Sequence, residues 1–94
     1  MDKLVELLSK EKQLLAERFG VEELAVFGSI ARGNATSDSD IDILVSFNIN
    51  TLHNYIALNE YLQGILKRKI DLVTKHKFLS ARFLNAIKKD IIYV

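Results

Sequence analysis

The chain has no cysteine and no proline, only four glycines in 94 residues, and no apolar run long enough to cross a bilayer. Each absence removes a class of protein. Without cysteine there is neither a disulfide framework nor a thiolate metal site, and the composition suits a reducing cytosol. Without proline, and with so few glycines, nothing reads as a linker. No repeat or low-complexity tract breaks the pattern either, so residues 1–94 are expected to form a single domain. A membrane-spanning helix needs roughly twenty consecutive apolar residues, and a secretory leader needs a basic segment followed by an apolar one. The opening residues carry Asp2 and Glu6 instead. These features predict a soluble, unexported, cytoplasmic protein with one core and little spare surface.

What is present is unevenly distributed. The net charge of +1 conceals an acidic first half and a basic second half, in which Lys67-Arg68-Lys69 forms a short run. Such runs are usually solvated surface, and direct nucleic-acid binding is not indicated. Leu4, Leu7, Leu8, Leu14 and Leu15 recur at helical spacing, with Glu11 as a misfit, and predict a first helix from about Lys3 to Arg18 that stops at Gly20. Leu24 to Phe27 is short, apolar and closed by Gly28, as a buried strand would be. Residues 28–40 are rich in Gly, Ser, Asn, Thr and Asp and read as a functional loop with at most a helical turn near Ser29.

From Asp40 to Phe47 the chain alternates, with Ile41, Ile43, Val45 and Phe47 on one side and Asp40, Asp42 and Leu44 on the other. Residues 51–66 predict a second long helix capped by Asn50 or Thr51. Ile70 to Val73 predicts a third strand, joined to the second by a parallel crossover. Phe78 to Lys88 predicts a last helix carrying Leu79, Phe83 and Ile87, and Asp90 to Val94 an added edge strand. The fold class is therefore α/β (α+β): a small mixed sheet of three to four strands flanked by about four helices.

The chemistry is concentrated between residues 28 and 45. Gly28 at a strand end lets the backbone turn sharply and approach a ligand closely, and Ser29 with the N–H groups of the next turn can donate to phosphate oxygens. A lone Gly-Ser carries no information. Asp40 and Asp42 follow at i, i+2 on a strand, so both carboxylates share a face, and Asp71 reaches the same place if the second and third strands are neighbours. Two unit charges about 4 Å apart repel by roughly 4 kcal/mol at an effective dielectric of about 20. Three converging carboxylates therefore call for protons or divalent cations, and an oxygen-only donor set suits Mg²⁺ or Mn²⁺. The bland reading of Asp40 and Asp42 alone is the polar face of an ordinary strand. Tyr55, Tyr61 and Tyr93 read as core or amphipathic surface, and His53 and His76 as incidental polar residues with no ligand spacing.

Gly28-Ser29, Ala31-Arg32-Gly33 and Ser39-Asp40-Ile41-Asp42 together resemble the signature of the minimal nucleotidyltransferases of the DNA polymerase β-like superfamily. Ile70-Asp71-Leu72-Val73 and Ile91-Ile92-Tyr93-Val94 sit where that family places its third acid and its last segment, so the likeness spans essentially the whole chain. The resemblance implies the nucleotidyltransferase fold and a metal-dependent transfer of AMP from ATP, with two Mg²⁺ ions, or Mn²⁺ as the alternative. It makes Asp40, Asp42 and Asp71 the metal ligands and catalytic acids, with Asp71 also the base for the incoming hydroxyl. Gly28, Ser29 and Ser39 become the nucleotide-binding residues. Arg32, Gly33 and Asp38 hold the loop, with Asp38 as the expected ion-pair partner of Arg32.

It also implies a partner, a HEPN-type ribonuclease toxin silenced by addition of AMP to a tyrosine, with this chain as the antitoxin. Two other readings stay open on the sequence: a binding module that masks the toxin without chemistry, and transfer to a small molecule or an RNA end.

Overall fold

The computed structural model describes residues 2–33, 39–75 and 79–94. The first helix, α1 (Asp2–Phe19), buries Leu8 and Leu15 completely, as its leucine spacing predicts. The misfit Glu11 has a local explanation. Its carboxylate accepts a 2.8 Å hydrogen bond from the hydroxyl of Tyr61, so a half-buried acid ties two helices together rather than disrupting their contact.

Strand β1 (Val21–Phe27) is longer than its apolar core of four residues suggests. A register shift between Val21 and Glu23 leaves Glu22 and Glu23 both exposed, which breaks the alternation that would have announced the strand's first half. A five-residue helix, α2 (Gly28–Arg32), follows immediately, and Gly33 caps it at φ +77°. Strand β2 (Ile41–Phe47) is followed by α3 (Leu52–Leu66). Of the two cap candidates it is Thr51 whose side chain accepts the N–H of Asn54, at 3.1 Å. Strand β3 (Ile70–Thr74), helix α4 (Ala81–Ile87) and the two-residue β4 (Ile92–Tyr93) complete the chain. Helix α4 begins later than the sequence pattern suggests because Ser80 caps it by accepting the N–H of Arg82; Phe78 lies outside the described residues.

The four strands form one mixed sheet in the order β3-β2-β1-β4. Strand β2 runs parallel to β3 and antiparallel to β1, and β4 is the added antiparallel edge. One face of the sheet, carrying Leu24, Val26, Ile41, Ile43, Val45, Ile70 and Leu72, packs with Leu8, Leu15, Leu58 and Leu62 of α1 and α3 into the main core. The opposite face is smaller: Ala25, Phe27 and Leu44 pack beneath Phe83, Leu84 and Ile87 of α4. The Tyr55 hydroxyl donates to the Leu72 carbonyl at 2.7 Å, supplying a partner to the backbone of the edge strand β3. Strand alternation assigns the acids to the α4 side. Isoleucines at 41, 43 and 70 point into the main core, so Asp42 and Asp71 point the other way, at the end of the sheet where β1 hands over to α2.

Candidate active site

Parallel pairing of β2 with β3 puts Asp42 directly beside Asp71, with Ile41 beside Ile70 on one flank and Ile43 beside Leu72 on the other. The two carboxyl groups come within hydrogen-bonding reach of each other, and the Asp42 carboxyl is pushed above its ordinary value of 3.8. Burial is the largest cause, because half-burial penalises the charged form. The charge and hydrogen bond of Asp71 come next, then the charge of Asp40, all opposed by the guanidinium of Arg32.

Asp40 lies one residue before the ladder begins and is exposed. Its field reaches Asp42, but among the described residues no three His, Cys, Asp or Glu side chains are gathered closely enough to hold an ion. Strand register therefore brings Asp42 and Asp71 together, while Asp40 stands exposed at the open end of the same site, close enough for its charge to act on Asp42.

On the other side of Asp42 stands Gly28, the register neighbour of the Phe27–Asp42 pair. Gly28 adopts φ +72°, and a Cβ placed on it would lie 2.9 Å from Cγ of Asp42 and overlap the carboxylate. Two separate requirements thus select glycine: a left-handed backbone and a carboxylate packed against the Cα. The same contact sets the start of α2 beside Asp42. Phe27 at the helix N-cap offers no side-chain cap, and Ser29 in the first turn is half-buried.

Arg32, at the far end of α2, is half-exposed, and its Nη1 lies 3.9 Å from Oδ2 of Asp90 in the turn before β4. The contact joins the end of α2 to the C-terminal turn. Asp38 lies outside the described residues, and Asp90 is the partner that sequence spacing did not suggest. Ser39 is half-buried, and its carbonyl accepts a hydrogen bond from the guanidinium of Arg68, which fastens the segment leading into Asp40 to the turn before β3. Tyr55 and Tyr61 are half-buried and hydrogen-bonded, Tyr93 is exposed, and His53 is an exposed helix residue; His76 lies outside the described residues. An apolar groove of about 270 Å³ between α1 and the end of α3, lined by Leu4, Leu7 and Ile65 among others, opens on the face of the sheet opposite the acids.

With this geometry in place, the relatives become informative. Residues 8–94 match the nucleotidyltransferase domain family. The protein adenylyltransferase MntA of Thermococcus cleftensis is 41% identical over 95 residues, spanning 100% of this chain and 95% of that protein. A solved structure described as a minimal nucleotidyltransferase superposes with a TM-score of 0.78 at 32% identity, over 96% of this chain and 92% of the other. At the level of fold alone, the antitoxin side of a complex with the tri-AMPylated HEPN toxin of Shewanella oneidensis matches with a TM-score of 0.64 at 19% identity, over 94% of this chain and 69% of the other. Among the described residues no helix is long and apolar enough to cross a membrane. A strand-borne acid pair with a glycine packed against it, in a chain that matches these proteins over nearly all its length, places this protein in the nucleotidyltransferase domain family and makes it a nucleotidyltransferase.

Proposed function

We propose that the chain is a Mg²⁺-dependent protein adenylyltransferase that moves AMP from ATP to a tyrosine hydroxyl of a HEPN-type ribonuclease toxin, and so acts as its antitoxin. The observation that carries the reading is the pairing of Asp42 with Asp71 in adjacent strands, with Gly28 packed against Asp42. The 41%-identical relative is named a protein adenylyltransferase, and the more distant complex contains an AMPylated HEPN toxin; both support the choice of AMP and of a protein acceptor.

The donor set fits divalent metal. Asp42, Asp71 and Asp40 offer only carboxylate oxygens, and burial, followed by the neighbouring charges of Asp71 and Asp40, disfavours the ionised form of Asp42, a cost that a bound cation would offset. These three residues would hold the ions, which when bound would make the acceptor hydroxyl more acidic and neutralise the charge developing on pyrophosphate. The protein's own groups do the rest. Gly28 and Ser29 would bring the backbone and a hydroxyl up to the triphosphate, and Ser39 would line the same mouth. The acceptor oxygen bonds to the α-phosphorus as the bond from that phosphorus to the bridging oxygen of the β-phosphate breaks. The hydroxyl proton passes to the Asp71 carboxylate, and pyrophosphate leaves. Arg32, tethered to Asp90, would keep α2 in position while this happens.

The test is to co-purify the chain with the protein encoded beside it, add Mg²⁺ and each nucleoside triphosphate in turn, and weigh both proteins intact. A gain of one or more AMP units on the neighbour, with ATP preferred, supports the proposal. Tight association without a gain in mass would replace it with a masking antitoxin, and neither association nor gain would point to a small-molecule or RNA acceptor.

A further inference from the structure

Between α3 and β3 the chain places three cations in succession, and the structure gives them different tasks. Arg68 turns back to donate to the Ser39 carbonyl, pinning the turn to the segment before Asp40. Lys67 and Lys69 are both exposed and form no ion pair with a described residue. Lys67 ends α3 at φ +54°, its N–H donating to the Gln63 carbonyl at 2.9 Å, and it is the non-glycine residue with positive φ among those described. Glycine adopts that conformation at less cost, so the lysine stands there against the backbone's preference.

Lys69 is held more tightly, its carbonyl accepting the Ile41 N–H at 3.0 Å. It stands two residues before Asp71, on the same side of the strand, and continuing the Ile41–Ile70 register by one residue sets it opposite Asp40.

The order of the strands says which side of the reaction this turn serves. Gly28 and Ser29, the proposed triphosphate cradle, follow β1, the acids lie on β2 and β3, and β3 is the far edge of the sheet. In phosphoryl transfer the attacking and leaving oxygens lie roughly in line on opposite sides of the phosphorus. If pyrophosphate departs on the β1 side, the acceptor arrives on the β3 side, past Lys69.

We propose that the α3–β3 turn, through Lys67 and Lys69, is the acceptor-recognition element, and that it takes an anionic group carried by the acceptor protein beside the accepting hydroxyl. The proposal rests on the nucleotidyl-transfer reading given above. The anion has two chemically equivalent sources: a carboxylate flanking the tyrosine, or the phosphate of an AMP already attached, whose ribose hydroxyl then accepts the next unit. A nucleic-acid backbone is the less suitable occupant, because its affinity accumulates over many phosphate contacts and this turn offers two lysines without an ion pair to a described residue.

Three fluorescent peptides test it: a tyrosine flanked by glutamates, the same tyrosine flanked by serines, and the serine peptide bearing tyrosyl-AMP. Binding is measured by anisotropy with Mg²⁺ and a non-hydrolysable ATP analogue, transfer by mass after adding ATP, and nucleotide affinity separately by calorimetry. The parent should bind one anionic peptide about tenfold tighter than the neutral one, the size expected of two rim charges. Preference for the glutamate peptide identifies a flanking carboxylate, and preference for the tyrosyl-AMP peptide a phosphate. In the double variant Lys67→Gly/Lys69→Gln the preference should vanish with nucleotide affinity unchanged. Lys67→Gly alone should raise the melting temperature while weakening the anionic peptide, a combination that a merely structural lysine would not produce.

Equal binding of all three peptides by a parent that binds nucleotide would overturn this proposal and leave the enzymatic reading standing. So would a preference that survives the double variant, or displacement of the peptide by a short single-stranded RNA. A parent that binds no nucleotide would remove both.

Discussion

Replacing Asp42 by asparagine should abolish nucleotide transfer and at the same time make the metal-free protein more stable at neutral pH. The change deletes a proposed metal ligand and one member of a like-charged pair. At about 4 Å two unit charges repel by roughly 1 kcal/mol in water and roughly 4 kcal/mol at an effective dielectric of about 20. Asp71 is exposed and Asp42 half-buried, so solvent screening holds the relief near the lower figure, about 1 kcal/mol, or roughly 4–8 °C in melting temperature for a domain of this size.

The pH dependence follows from the direction of the shift. The folded protein holds the Asp42 proton more tightly than the unfolded chain does. Asp42 therefore contributes stability that is fully present below its ordinary value of 3.8 and is lost as pH rises through its raised folded value. Parent and variant should melt together below pH 3.8 and separate above it, with the variant the more stable. Thermal melts from acid to neutral pH in the presence of a chelator measure this difference. A variant less stable than the parent at neutral pH, or a gap that does not change with pH, would refute the claim that burial and neighbouring carboxylates disfavour the charged form of Asp42 in the folded protein. Retained transfer would refute the assignment of Asp42 itself.

Gly28→Ala should eliminate transfer and cost about 1–3 kcal/mol of stability, since the new methyl meets the Asp42 carboxylate at a left-handed backbone position; chemical denaturation and the mass assay measure the two effects. Mg²⁺ with ATP should raise the melting temperature by more than the sum of the separate effects, because each completes the binding site of the other; additive shifts would count against a shared metal–nucleotide site. Leu62→Ala, at a fully buried position of α3 remote from the acids, should cost about 2–5 kcal/mol in urea denaturation while leaving the affinity for nucleotide unchanged in the folded fraction.

The elements that sequence alone foretold are those in which one local signal acts without competition. The leucine spacing of α1, the strict alternation of β2 and the threonine at the start of α3 all appear where the pattern puts them. The first half of β1 was hidden because a bulge exposes Glu22 and Glu23 in succession, and a period-two pattern cannot survive an extra residue. Glu11 looked like an error on an apolar face because its partner, Tyr61, lies 50 positions away. The Arg32–Asp90 contact was invisible for the same reason: the guanidinium reaches across the fold to the turn before β4, whereas sequence spacing favours near neighbours.

The site divides along the same line. The signal for Asp42 was local, being its place in an alternating strand after a glycine-serine turn. That of Asp71 depended on which strand would lie next to which, and the parallel β2–β3 pairing supplies it. Asp40 lies where the strand pattern ends. Alternation correctly gives it the same side of the chain as Asp42, but the ladder starts at Ile41, and one step outside the hydrogen-bonded backbone a side chain answers to solvent as much as to register. Lys69, in register with Asp40, is held there through its backbone carbonyl, which accepts the Ile41 N–H, while its side chain is exposed. The inner pair, Asp42 and Asp71, is therefore placed by strand register, while the outer pair, Asp40 and Lys69, has its backbone positioned by the neighbouring ladder and its side chains exposed to solvent.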